Sequence, residues 1–311
     1  MTIGTMNIAF IGLGQMGKPM ALNMLKRAPD LLVSAADTSS YPEFERQGAR
    51  TTTRVADTAN ADIVFLSLPN ADVVRAVLLG DDGIARHLSA GKIVVDTSTI
   101  DYSATVEIAA ALAEKGVYFI DAPVSGMEAR AIDATLTAMC GGAYAIFEKV
   151  EPYLATMANH ILYMGEIGAG QLTKLINQLL FDINAAALAE VLPMAVKLGL
   201  DPDRIGSVIN SGTGRSYASE FFIPRILGGN FSSGYPMQHA YKDLVSAAEV
   251  SGRQCIPMPV LAAATATYQT ALLKGLGKLD KGAMVKVYEE LNNVSFRSKA
   301  AVGETAGAQL Q

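Results

Sequence analysis

The sequence predicts an α/β fold, with an N-terminal Rossmann-type doubly wound sheet followed by an all-α C-terminal domain joined by a long helix. Three observations carry this. Short apolar runs alternate with helical periodicity through the first half, as a parallel sheet covered on both faces requires. The strand signal stops near Gly165, and everything after it has helical periodicity. A chain of 311 residues also suits two domains better than one.

The elements follow in order. Strands are expected at 7–11, 31–36, 62–67, 92–96 and 117–120, with helices near 16–27, 70–79 and 101–115 between them. A further apolar run at 134–139, a helix at 143–156 and a last strand at 161–163 complete the first domain, 1–165. The second domain, 166–311, opens with a helix over about 171–199. It is rich in alanine at 185–187 and 189, with Gly199 as its C-cap and Pro193 as a kink or break. At 1.5 Å per residue it spans roughly 40 Å. Its small-residue face suggests subunit contacts, in a homodimer or homotetramer. Shorter helices are expected at 202–210, 216–228, 238–252, 257–275 and 280–292, with turn-rich joints.

Composition narrows the function. The chain is 50% hydrophobic and 18% charged, enough for a large core. A net charge of −5 with no basic run speaks against nucleic acid or an anionic membrane as a partner. The three histidines are scattered and the two cysteines, Cys140 and Cys255, lie far apart, so no metal site is expected. The N-terminus lacks the order of a signal peptide, and no apolar span of bilayer length is expected; a cytoplasmic protein follows.

The first strand runs directly into Gly12-Leu13-Gly14-Gln15-Met16-Gly17, which opens a helix. In that context G-x-G-x-x-G is a dinucleotide-binding turn. Gly12 allows the tight bend, Gly14 the approach of a pyrophosphate and Gly17 the packing of helix on strand, while the helix N-terminus favours phosphate. Asp37 lies about twenty residues past Gly17, where an acid hydrogen-bonds the ribose hydroxyls and repels a 2′-phosphate. No arginine follows at 38–41, so NAD is expected in preference to NADP. Read structurally, Asp37 simply caps a turn. The turns Ser67-Leu68-Pro69-Asn70 and Asp96-Thr97-Ser98-Thr99 fall at carboxyl ends of strands and should line the cofactor cleft. Their plain alternative is strand-to-helix turns, with Thr99 as an N-cap.

At the substrate end, Asp121-Ala122-Pro123-Val124-Ser125-Gly126 exposes a hydroxyl and a bare backbone N–H, donors suited to a small carboxylate. Lys174 follows a glycine-rich turn at the head of an apolar helix, with no charged residue in the next five. Taken alone it reads as a solvent-facing charge. Beside a cofactor and an anion site it reads as a working amine.

With these residues in hand, the chain resembles the β-hydroxyacid dehydrogenase family over about residues 6–295. That group includes 3-hydroxyisobutyrate dehydrogenase, tartronate semialdehyde reductase and 2-(hydroxymethyl)glutarate dehydrogenase. The resemblance rests on Gly12 to Met20, Asp121 to Gly126, the stretch Gly165-x-x-Gly-x-Gly-x-x-x-Lys174, and Lys242-Asp243-Leu244. It implies NAD(P)-dependent interconversion of a small β-hydroxy acid and its semialdehyde or oxo acid. Lys174 is then the acid/base, Ser125 and Gly126 hold the carboxylate, and Leu68, Pro69 and Thr99 touch the cofactor near its nicotinamide half. Lys242 reaches back to close over cofactor and substrate.

The chain also departs from the family. Met127 replaces a second glycine after Ser-Gly and narrows the carboxylate loop. Ala134 replaces another glycine. Gln178 stands where an asparagine is usual, with Asn177 before it. Gln178 keeps an amide one turn past Lys174 and is expected to orient the lysine or bind substrate, with Asn177 the lesser candidate. Arg215, in a glycine-rich loop resembling the hydroxymethylglutarate branch, suits a second substrate carboxylate or else stays on the surface. The competing readings are a catalytically silent dinucleotide-binding protein, against which the intact Lys174 argues, and an imine reductase, whose lysine is typically replaced.

Overall fold

The structure is a computed structural model, described here for residues 6–298. The chain divides into two compact units, between Lys174 and Leu175. The first is built on a nine-stranded sheet and the second is helical.

In the first unit, β1 (Ile8–Ile11) runs into α1 (Gly17–Leu25), β2 (Leu32–Ser34), α2 (Tyr41–Arg46) and β3 (Arg50–Thr52). Then come β4 (Ile63–Leu66), α3 (Ala71–Leu79), β5 (Ile93–Asp96), α4 (Tyr102–Ala113) and β6 (Tyr118–Asp121). A second segment adds β7 (Val124–Ser125), α5 (Met127–Ile132), β8 (Leu136–Gly141), α6 (Tyr144–Leu154) and β9 (Ala158–Gly165). The strand order is β3-β2-β1-β4-β5-β6-β8-β7, with β9 also on β8. The strands from β3 to β6 are parallel, whereas β8 pairs antiparallel with both β6 and β7.

The near-continuous apolar strands alternate between two faces. Ile8, Phe10, Ile63, Phe65, Ile93 and Val95 pack with Met20 and Met24 of α1. Ala9, Ile11, Val64, Leu66 and Val94 pack with Val74 and Leu78 of α3 and Ile108 and Leu112 of α4. Side chains of successive residues point to opposite faces, so an unbroken apolar run is what two covered faces demand. Helices α3 and α4 start on side-chain caps: Asn70 accepts from Val73 N–H and Asp101 from Ala104 N–H. Thr99 therefore is not the cap of α4. The strand β3 and helix α2 have no counterpart among the expected elements.

Helix α7 (Ala169–Lys197) is one uninterrupted element of 29 residues that runs through Pro193, so the expected break is absent. By length and composition it is apolar enough to cross a bilayer, contrary to the sequence expectation. Half of its most apolar stretch is buried inside the protein, and it carries the buried Lys174 and Asp182. Of its alanines, 185, 186 and 189 are buried in the core of the second unit and Ala187 is exposed. That unit continues with α8 (Pro202–Ser211), α9 (Tyr217–Leu227), α10 (Met237–Arg253), α11 (Pro259–Leu273) and α12 (Val285–Asn292). Its core gathers Leu192, Phe222, Met237, Leu244, Tyr268 and Phe296. Lys281 lies there almost fully buried, paired with Asp182 and seated over the Phe181 ring.

Candidate functional site

The glycine turn after β1 has the geometry its pattern requires. Gly12 takes a φ of 98°, and a Cβ there would meet Ser67 O at 2.2 Å. A Cβ on Gly17 would meet Gly12 O at 2.0 Å. Both glycines are therefore fixed by the backbone around them. Gly14 differs: it is exposed, with nothing within 4 Å of its would-be Cβ. Its bare face leaves room for a group to approach the main chain, and Met16 gives α1 no side-chain cap. An open glycine at an uncapped helix N-terminus fits a dinucleotide pyrophosphate. Leu13 and Met16 pack against the sheet core. Gln15 donates to Glu128 Oε2 at 2.8 Å, tying this turn to the segment after Ser125-Gly126.

Asp37 is exposed just beyond β2. Its Oδ1 accepts the Ser39 N–H at 2.9 Å, which holds the carboxyl below its usual range. It thus caps a turn and still presents an ionised carboxylate. The Leu68 N–H donates to Ser98 Oγ at 2.8 Å, so the turns after β4 and β5 are joined. Pro69 is exposed and Thr99 half-buried beside them.

Two aspartates at the strand ends carry polar contacts that the sequence pattern did not single out. Asp96 and Asp121 end the paired strands β5 and β6 and are fully buried. Asp96 Oδ1 accepts Ser98 N–H at 2.9 Å, and burial pushes its carboxyl up to about 7. Asp121 accepts Gly168 N–H at 2.8 Å and Gln171 N–H at 2.9 Å, the donors at the start of α7. Burial raises its carboxyl as well, and those two N–H groups oppose the rise. A carboxylate at a helix N-terminus satisfies donors that have no partner within the helix and matches the helix dipole. This docks the first turn of α7 on the carboxyl end of the sheet, with Lys174 just beyond it. Lys174 is only 8% exposed, so the solvent-facing reading fails.

Ser125 is half-buried and pairs with Thr137 of β8. Gly126 takes a φ of 141°, and a Cβ there would lie 2.8 Å from Arg130 Cβ. Met127 and Ala134, the two positions where the resemblance leads one to expect glycine, take φ values of 61° and 57°. The chain keeps a left-handed backbone at both positions and places side chains on it. On α7, Gln178 is half-buried one turn past Lys174, and Asn177 is exposed. Arg215 precedes α9 and pairs with Glu220 at 3.4 Å, with 63% of its side chain exposed. Lys242 is exposed in the second turn of α10. Among the described residues, no three His, Cys, Asp or Glu side chains gather to hold a metal. A cavity of 660 Å³ at the amino ends of β1–β3, lined by Asn7, Arg50 and Asp57 among others, carries none of these site residues.

Comparison with known proteins decides the family. Residues 7–165 match the NAD binding domain of 6-phosphogluconate dehydrogenase. Residues 168–288 match the model described as NAD-binding of NADP-dependent 3-hydroxyisobutyrate dehydrogenase. The chain is 39% identical to the 2-(hydroxymethyl)glutarate dehydrogenase of Eubacterium barkeri, over 94% of this chain and 97% of that one. The chain belongs to the β-hydroxyacid dehydrogenase family. The 2-hydroxy-3-oxopropionate reductase of Escherichia coli K12 is 32% identical, over 93% of this chain and 99% of the relative. A Mycobacterium tuberculosis 3-hydroxyisobutyrate dehydrogenase, solved with L-serine, superposes with a TM-score of 0.81 at 27% identity. That match covers 91% of this chain and 99% of the other. As a member of this family, the protein is an oxidoreductase of hydroxy acids that uses a nicotinamide dinucleotide.

Proposed function

We propose that the protein oxidises a small β-hydroxy acid to its semialdehyde or oxo acid, and reduces it in reverse, with Lys174 as the acid/base. One observation carries this reading. Lys174 is buried on a helix whose first turn is docked, through Asp121, on the carboxyl ends of β5 and β6, where doubly wound sheets bind ligands.

When bound, the dinucleotide supplies the hydride acceptor or donor. In oxidation, Lys174 Nζ accepts the hydroxyl proton; in reduction it returns that proton to the forming alkoxide. A cation at that point stabilises charge that grows only in the transition state. Ser125 Oγ and the Gly126 N–H hold the substrate carboxylate, and Gln178 orients the amine or binds substrate. Asp37 supports NAD over NADP by its exposed negative charge. Arg215 suits the second carboxylate of a dicarboxylic substrate, in exchange for Glu220. The family relative named for 2-(hydroxymethyl)glutarate agrees with that choice.

We further infer a homodimer or homotetramer. The support is a row of exposed apolar side chains along α7, Ile176, Leu180, Val191 and Met194, continued by Leu198 just past its end. Light scattering on the purified protein tests it, and a monomer at micromolar concentration refutes it.

The experiment for the reaction is a panel of mono- and dicarboxylic hydroxy acids with NAD and NADP, followed by absorbance. Turnover of a β-hydroxy acid with a lower KM for NAD is expected. A tenfold preference for NADP overturns the role of Asp37, and Arg215→Ala raising KM equally for mono- and diacids overturns that of Arg215.

A further inference from the structure

Gln171 lies three residues before Lys174 and is 3% exposed. Its backbone N–H is one of the two donors to Asp121. Its side chain turns to the end of β5. Nε2 donates to Ser98 O at 2.8 Å, and Oε1 accepts the Ile100 N–H at 3.3 Å. These two contacts flank Thr99. Ser98 in turn receives the Leu68 N–H through its hydroxyl. A single amide, using its donor and its acceptor, therefore spans the turn that the family places against the cofactor.

The neighbouring glycines make room for this. A Cβ on Gly170 would fall 2.3 Å from Met139 O, and one on Gly141 would fall 2.5 Å from Asp121 Oδ1. The start of the helix is seated against main chain on one side while Gln171 holds the turn on the other.

We propose that Gln171 is a positioning residue: its amide clamps the Ser98–Ile100 turn to the first turn of α7, fixing the cofactor-side turn and the acid/base lysine relative to one another. The proposal rests on the acid/base reading of Lys174 given above. A carboxamide is the side chain for this task, because it offers one donor and one acceptor at the same reach. Loss of either bond leaves a buried backbone group without its partner and frees the turn. Misplacement of reacting groups by about 1 Å costs up to about 10²-fold in rate.

The test compares wild type with Gln171→Met, which keeps length and loses both contacts, and with Gln171→Asn, which keeps the amide at shorter reach. Three quantities are read per folded protein: kcat at saturating cofactor, the NADH Kd, and the kinetic isotope effect with substrate deuterated at the carbinol carbon. Gln171→Met should lower kcat at least about tenfold. It should also raise the Kd several-fold and enlarge the isotope effect, since hydride transfer becomes slower relative to product release. Gln171→Asn should move all three in the same direction by less. A purely structural role would lower Tm while leaving kcat per folded site, Kd and isotope effect at wild-type values, and that result overturns the proposal. If wild type turns over no hydroxy acid with either dinucleotide, the acid/base reading fails instead. The NADH titration then decides the clamp alone: a Kd unchanged in Gln171→Met overturns it, and a raised Kd supports it.

Discussion

In the first unit the buried carboxylates face main chain; in the second the buried carboxylate of Asp182 faces an ammonium. Asp96 and Asp121 accept N–H groups from the turn after β5 and from the head of α7. Asp182 is paired with Lys281, over the Phe181 ring. All three are raised by burial, Asp96 to about 7 and Asp182 to about 6, where the ammonium offsets part of the cost. The contrast is one of purpose. Carboxylates that hold backbone donors define where loops and a helix start lie, which is what a site needs. A carboxylate that holds a lysine joins α7 to the segment before α12, which is what a core needs. The second unit repeats the ion-pair pattern where Glu289 pairs with Arg297 at 2.7 Å. It also holds loops by main chain, where buried Asp280 accepts the Gly234 N–H at 3.1 Å and the Gly282 N–H at 3.0 Å, so the ion pair is what the second unit adds.

Lys174→Ala is the strongest way to break this comparison. It should lower kcat by at least about 10²-fold, while NADH titration shows nearly wild-type affinity. If thermal unfolding shows instead that the main loss is stability, the first unit uses its buried charge no differently from the second. Lys281→Met should show the reverse. It strands Asp182 without its cation, and removing one partner of a buried pair costs about 3–5 kcal/mol. Urea denaturation should report that loss, with kcat per folded molecule nearly unchanged.

Next in size is Asp96→Asn. The folded carboxyl titrates at about 7, far above its ordinary value of 3.8, so folding takes up a proton. The stability from this group is complete below about pH 4 and is lost as pH rises through 7. Asn keeps an acceptor for the Ser98 N–H and cannot ionise. The variant's stability should therefore fall less than wild type's between pH 4 and 7; parallel curves would show that Asp96 is not the source. The smallest effect is Met127→Gly, which relieves a left-handed side chain worth about 1–2 kcal/mol and returns part of it as unfolded-chain entropy. A Tm rise of a few degrees is expected, and a fall would mean that the Met127 side chain stabilises the fold by more than its backbone costs.

The sequence was informative wherever physics is local. The dinucleotide turn, the apolar strands and the lysine helix are all written in neighbouring residues. The strand β3 was not legible because Arg50-Thr51-Thr52 is short and polar, with no apolar period. Pro193 is the other kind of case: a local rule predicts a kink or a break, and α7 continues through it as one helix, without the break. Within the site, Asp121 stood inside a recognised motif, yet its partners are 47 and 50 residues away. Gln171 finds Ser98 and Ile100 across more than 70 residues, and Asp182 finds Lys281 across 99. Which polar groups meet is decided by the strand order of the sheet and by helix packing, not by spacing along the chain.

The glycines of the first unit carry a consequence for evolution. Gly12, Gly17, Gly141 and Gly170 have no space for a Cβ, and main-chain atoms lie within 3 Å of where one would be. Gly14 has open space. In a saturation library, any side chain at the first four should deplete folded protein, whatever selection is applied. At Gly14 many side chains should pass a selection for expression and fail one for dinucleotide binding. Depletion at the four would report the closeness of the backbone, and depletion at Gly14 under the binding selection would report the ligand.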